Sequence, residues 1–128
     1  AARQADIISC ATLSNAPLVR GEWLQPGVHL DLIGSFTPAM RESDDACFAR
    51  ATVFVDTPEA LMKAGDILAP IASGAWEASG LAATLEQLCR SQHAGRRSAD
   101  EITLFKAVGT ALEDLAAACL AYDGFCAG

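Results

Sequence analysis

A chain of 128 residues, 52% of them hydrophobic, has the size of one globular domain and enough apolar surface for a core. Its net charge of −7, with nine scattered Lys and Arg, excludes a protein that clamps nucleic-acid phosphates; Arg96-Arg97, the one basic pair, reads as a solvated loop. No apolar run approaches the roughly 20 residues of a membrane span, and the opening "AARQADIISC" lacks the order of a signal peptide, so a soluble cytoplasmic protein is expected.

In chain order, "ADIISCAT" reads as a buried strand and "SNAP" as the turn after it. "GEWLQPG" offers one helical turn, and "VHLDLIGSF" a second strand with Gly34 near its end. "SDDACFARA" predicts a short helix with Ser43 as N-cap and two acids in its first turn. "TVFVD" is a third strand, and "TPEALMKAG" a helix capped by Thr57, opened by Pro58 and ended by Gly65. The Ala-, Gly- and Ser-rich "DILAPIASGAWEASG" reads as a loop, with Trp76 as a dimer contact or a half-buried surface residue, and "LAATLEQLC" as a helix. In the last third, "SADE" is a capping-box pattern and apolar spacing permits one helix over 99–122. The β-branched "ITLF" and Gly109 favour a strand at 102–106 and a helix from about Thr110 to Phe125 instead.

Strands alternating with helices predict an α/β fold built on a parallel sheet. In such sheets ligands sit beyond the carboxyl ends of the strands, which here are "ATLSNAP", "GSFTPAMRE" and "FKAVG", small or polar exits where loops present free backbone N–H groups. The Gly-rich GxGxxG phosphate loop of a dinucleotide fold is absent from the chain. The five cysteines, Cys10, Cys47, Cys89, Cys119 and Cys126, form no CxxC cluster and read as buried free thiols. His29 and His93 have no second His or Cys at ligand spacing, so no metal site is expected. Asp44-Asp45 and Glu113-Asp114 read as solvated or capping acids.

Two blocks, "ADIISCATLSNAPLVRGEWLQPGVHLDLIGSFTPAMRESDD" and "GRRSADEITLFKAVGTALEDLAAACLAYD", resemble the C-terminal part of the ornithine cyclodeaminase and mu-crystallin family, and the resemblance runs along essentially the whole chain. It is nearest to bacterial members that reduce Δ1-pyrroline-2-carboxylate and Δ1-piperideine-2-carboxylate. The resemblance implies that residues 1–128 are a single partial NAD(P)-binding Rossmann domain with a C-terminal helix, a fragment whose phosphate loop lies before Ala1. Tight NAD(P)H binding would then need the N-terminal half, and the implied partners are that half, a cyclic imino acid or amino acid, and a second copy in a homodimer.

By the same resemblance, Thr12, Leu13, Leu32, Ile33 and Ala107 fall at cofactor-contacting positions, and Phe36, Thr37 and Val108 face the substrate. Phe36 stands where the deaminases carry Asp, and Met40 where they carry Lys. A phenyl ring does no acid/base work, so the expected reaction is reduction of a cyclic imine rather than deamination of ornithine. No catalytic residue is assigned within the chain; the carboxylate anchor and proton donor belong to the N-terminal half. The alternatives implied are an ornithine cyclodeaminase, a mu-crystallin-like protein that binds NADPH and a small ligand, or an inert truncated product.

Overall fold

The computed structural model describes residues 1–127. Five parallel strands, β1 (Ile7–Cys10), β2 (His29–Leu32), β3 (Thr52–Val55), β4 (Leu81–Thr84) and β5 (Thr103–Lys106), form one sheet in the order β1-β2-β5-β3-β4. The strand at 102–106 and the helix after it are observed, the helix as α5 (Ala111–Cys126). The other helices are α1 (Asp45–Arg50), α2 (Ala60–Lys63), α3 (Gly65–Ser73) and α4 (Leu85–Cys89).

Alternation along the strands sorts their side chains onto two faces. Leu30, Leu32, Val53, Val55 and Leu104 are fully buried on one face, against Phe48 and Cys47 of α1, Ala60 of α2 and Ile67 of α3. On the opposite face Phe54, whose ring meets the edge of His93 at 5.3 Å, and Thr103, bonded to Arg96 and His29, are buried. Ile7 and Ser9 of β1 on that face are exposed, and His29 and Asp31 are half-buried. Parallel sheets are normally covered on both faces, so this chain holds an open sheet surface.

Four expected elements are corrected. Asp44, not Ser43, caps α1, accepting from the Cys47 amide at 3.2 Å, while Ser43 is buried and bonded to Asp66. The helix expected over 57–65 is shorter, and Thr57 does not cap it; its hydroxyl is buried without a partner. Gly65 opens α3 rather than ending α2, because a Cβ there would strike the backbone carbonyls of Pro38 and Met40. The expected loop after it is α3: burial of Ile67, Asp66 and Pro70 outweighs the poor helix composition, and Gly74, at φ 75°, closes the helix in the left-handed region.

"LAATLEQLC" divides into strand and helix. Pairing with β3 draws Leu81–Thr84 into the sheet, and Thr84 then caps α4 through a capping box with Gln87. The Ser98 and Glu101 pattern starts no helix; Glu101 instead accepts from the Thr52 hydroxyl and from Arg97. Trp76 is buried, edge-on to Phe48 at 5.8 Å, and is not a surface contact. Cys10 and Cys47 are buried thiols as expected, but Cys89, Cys119 and Cys126 are exposed. The last two sit on α5, which is exposed along its length and shows Leu112, Leu115, Leu120, Tyr122 and Phe125 to solvent.

Candidate functional site

Because β1, β2 and β5 are neighbours, their carboxyl ends open side by side. Leu32 is level with Cys10 on one side and Lys106 on the other. The three loops that leave these strands are 11–16, 33–42 and 107–110, and each is tied down by a buried charged group.

Glu42, with no exposed surface, ties the first two. Its Oε1 accepts from the Thr12 amide at 2.6 Å and the Thr12 hydroxyl at 2.8 Å, and its Oε2 from the Gly34 amide at 2.8 Å. Gly34 has to be glycine, since a Cβ would overlap both the Thr12 carbonyl and the Glu42 carboxylate. Asp56, at the end of β3, ties the third: its Oδ2 accepts from the Val108 and Gly109 amides at 2.8 and 2.7 Å, and its Oδ1 from the Thr57 amide at 2.7 Å. The Thr12, Gly34, Val108 and Gly109 amides, at exits where free N–H groups were expected, are therefore satisfied from within the chain.

A further layer lies beneath. Asp66 Oδ1 accepts from the Glu42 and Ser43 amides, each at 2.9 Å, and from the Ser43 hydroxyl at 3.1 Å. Ser35 donates to the Met40 carbonyl at 2.6 Å and accepts from the Asp66 amide at 3.1 Å, closing loop 33–42 on itself. Lys106 is fully buried at the end of the central strand, and its Nζ donates to the Leu32 carbonyl at 3.0 Å. Burial pushes the Lys106 ammonium below the ordinary lysine value, against the attraction of Asp66, Glu42, Asp56 and Asp31. Burial, with Glu42, Asp66 and Asp31 nearby, likewise pushes the Cys10 thiol up, so it is not a nucleophile at neutral pH.

The residues singled out in the sequence fall around this rim. Thr12 is half-buried and held by Glu42, whereas Leu13 is exposed. Ile33 and Phe36 are partly open to solvent at 40% and 46%, and Thr37, Ala107 and Val108 are half-buried. Leu32 differs from the rest: its side chain is in the core, and its carbonyl is taken by Lys106 and by the Ala107 amide. Glu42, Asp56, Asp66 and Lys106 were not among the sequence candidates, although strand alternation puts Lys106 on the inward face with Leu104.

The exposed rim of Thr12, Leu13, Ile33, Phe36, Thr37, Ala107 and Val108 is thus without a titratable group. Glu42, Asp56, Asp66 and Lys106 lie below it and are bound to backbone, while Arg41 of loop 33–42 pairs with Asp45 at 2.7 Å and Asp31 accepts from the Ser9 hydroxyl at 2.8 Å. Such a surface suits a flat, weakly polar ring or a small apolar ligand, and the Thr12, Gly34, Val108 and Gly109 amides are not free to hold a phosphate.

Comparison with known proteins bears on this arrangement. Over 113 residues the chain is 48% identical to a Δ1-pyrroline-2-carboxylate reductase of Paracoccus denitrificans, covering 88% of this chain and 36% of that protein. It is 37% identical over 125 residues to the mouse ketimine reductase mu-crystallin, covering 97% and 37%. Its fold superposes with a TM-score of 0.91, at 34% identity, on the Thermococcus litoralis Δ1-pyrroline-2-carboxylate reductase solved with NADH and L-proline, covering 95% of this chain and 38% of that one. The chain therefore spans little more than a third of the length of these relatives. The fold matches the C-terminal part of their dehydrogenase-like architecture. All of residues 1–128 match the ornithine cyclodeaminase/mu-crystallin family, and the chain belongs to it.

Proposed function

We propose that this chain is the C-terminal portion of an NAD(P)H-dependent ketimine reductase acting on cyclic imino acids, converting Δ1-pyrroline-2-carboxylate to L-proline and Δ1-piperideine-2-carboxylate to L-pipecolate. The observation that carries the reading is Phe36, a partly exposed phenyl ring on a rim that offers no acid or base. Deamination with ring closure needs a proton-transferring group at the reacting carbon; imine reduction can draw its proton from another segment.

The residues present fit one end of a dinucleotide. Small or apolar side chains at Thr12, Ile33 and Ala107 suit the nicotinamide, while the occupied amides of Thr12, Gly34, Val108 and Gly109 leave no cradle here for the diphosphate. When bound, the nicotinamide supplies the hydride. The chain's own part is positioning: Phe36 and Val108 form an apolar wall for the substrate ring, Thr37 offers a hydroxyl beside it, and the tied loops keep that wall fixed.

In this reading residues 1–128 make up one partial NAD(P)-binding domain, and a further segment supplies the phosphate loop, the carboxylate anchor and the proton donor. The open sheet face at Ile7 and Ser9, the exposed α5 and the fraction of the relatives' length that the chain spans support such a partner. The assembled enzyme is proposed to be a cytoplasmic homodimer. Free cysteines suit a reducing compartment, and the apolar residues of α5 suit burial between subunits.

The test is a hybrid in which residues 1–128 replace the matching segment of the Paracoccus denitrificans reductase. It should oxidise NAD(P)H in the presence of Δ1-pyrroline-2-carboxylate and release no ammonia from L-ornithine. Phe36→Asp should lower kcat/KM for the imino acid about 10-fold or more by removing the apolar wall. Ammonia release from ornithine by the unsubstituted hybrid would overturn the assignment.

A further inference from the structure

We propose that Lys106 is a positioning residue of this site, acting with Glu42 and Asp66 as a buried charge clamp that fixes the exits of β1 and β2 and loop 33–42 against the central strand. The inference rests on the reductase reading for the reaction affected, but the clamp itself stands on the geometry.

Its bonds end on the backbone of the site. Lys106 holds the Leu32 carbonyl, Glu42 the Thr12 and Gly34 amides, and Asp66 the amides of Glu42 and Ser43. The three side chains come from β5, the loop and α3: Glu42 and Asp66 join loop 33–42 to the β1 exit and to α3, and Lys106 adds a side-chain bond to the Leu32–Lys106 pairing of β2 and β5. Among the described residues, Asp66 Oδ2 is buried without a partner, and the Lys106 ammonium makes one hydrogen bond, to the Leu32 carbonyl.

Stability alone does not account for this arrangement. A methionine or leucine at position 106 would fill the space between Leu104 and the helices without taking a charge out of water, and such replacements of buried ion groups are often neutral or stabilising. The three charged groups gain a defined backbone geometry: Gly34 drawn close under Thr12, and the loop that carries Phe36 and Thr37 anchored at both ends.

The test uses Lys106→Met and the neutral triple variant Lys106→Met/Glu42→Gln/Asp66→Asn, the second because a lone substitution leaves two buried carboxylates uncompensated. In the full 128-residue chain, amide exchange at Thr12, Gly34 and Glu42 should rise about 10-fold or more while Val53 and Leu104 stay protected. In the hybrid reductase, kcat should fall on the order of 100-fold, with dinucleotide affinity kept within about 3-fold because this rim does not hold the diphosphate. Unchanged exchange and kcat in the triple variant would overturn the proposal. So would global loss of protection in the triple variant, which would make the clamp part of the fold rather than of the site. An inactive unsubstituted hybrid would count against the reductase reading, and the exchange pattern would still decide the clamp.

Discussion

The two ends of the same strands are tied by opposite means. At the carboxyl ends, Glu42, Asp66 and Lys106 are fully buried and Asp56 nearly so, with bonds running mostly to backbone. At the amino ends, Arg96 and Arg97 are exposed: Arg96 donates to the Gly27 and Glu101 carbonyls, and Arg97 pairs with Glu101 at 3.0 Å. A pair of the second kind contributes little, since water and salt compete for the exposed Arg97 guanidinium. Buried carboxylates whose partners cannot reach water are held far more firmly. This chain thus takes charge out of water at the end where buried side chains hold its loops in one shape.

Asp66→Ala should give the largest effect and test that contrast most severely. It strands the buried Glu42 and Ser43 amides and the Ser43 hydroxyl, with a loss of about 3 to 5 kcal/mol in urea unfolding. A loss below about 1 kcal/mol would place this carboxylate in the same class as the exposed pairs of the other end.

Gly34→Ala comes next. The new methyl must displace both the Thr12 backbone and the Glu42 carboxylate, costing about 1 to 3 kcal/mol. In the hybrid reductase it should also reduce turnover, because the same shift moves the loop bearing Phe36. If stability falls and turnover does not, the loop position matters less than the clamp argument requires.

At the opposite end, Thr103→Val removes a hydroxyl that accepts from Arg96 at 3.0 Å and bonds His29 Nδ1 at 2.8 Å, for about 1 kcal/mol. Arg96 has other acceptors and His29 is half-buried, so water can replace much of what is lost. Burial, ahead of the opposing pull of Asp31, holds the His29 ring below the ordinary histidine value. As pH falls below 6.5 the unfolded chain takes up a proton that the folded ring resists, and this site then favours unfolding.

Much of the fold was legible because its signals are local. "IISC", "HLDL", "TVFV" and "TLFK" are apolar or β-branched runs bounded by turns, and the Thr110 to Glu113 capping box starts α5 where it was expected. What escaped depends on tertiary partners. "LAAT" has no strand propensity of its own and becomes β4 by pairing with β3, while α3 forms because Ile67 and Asp66 find burial. In the site, the glycine and the small exits could be read, but the tying groups could not. Glu42 reaches back 30 residues to Thr12, and Asp66 reaches 24 to Glu42, distances at which one sequence carries no pairing signal. Lys106 alone gave a local clue, a charge on the inward side of a strand.

The smallest effect, and the finest test of the contrast, belongs to Glu101. The Arg97 amide first, then the Thr52 hydroxyl and the Arg97 guanidinium, hold its carboxyl down to about 2, well below the ordinary 4.5. The folded state thus favours the ionised form, so its contribution is complete above pH 4.5 and is lost as pH falls from there towards 2. Thermal unfolding of the parent and of Glu101→Gln should differ by a constant amount above that window, and the two curves should converge within it. Added salt should shrink the difference, because Arg97 is exposed. The destabilisation by Asp66→Ala should be nearly indifferent to salt, and equal salt sensitivity at the two positions would erase the distinction between the ends of the sheet.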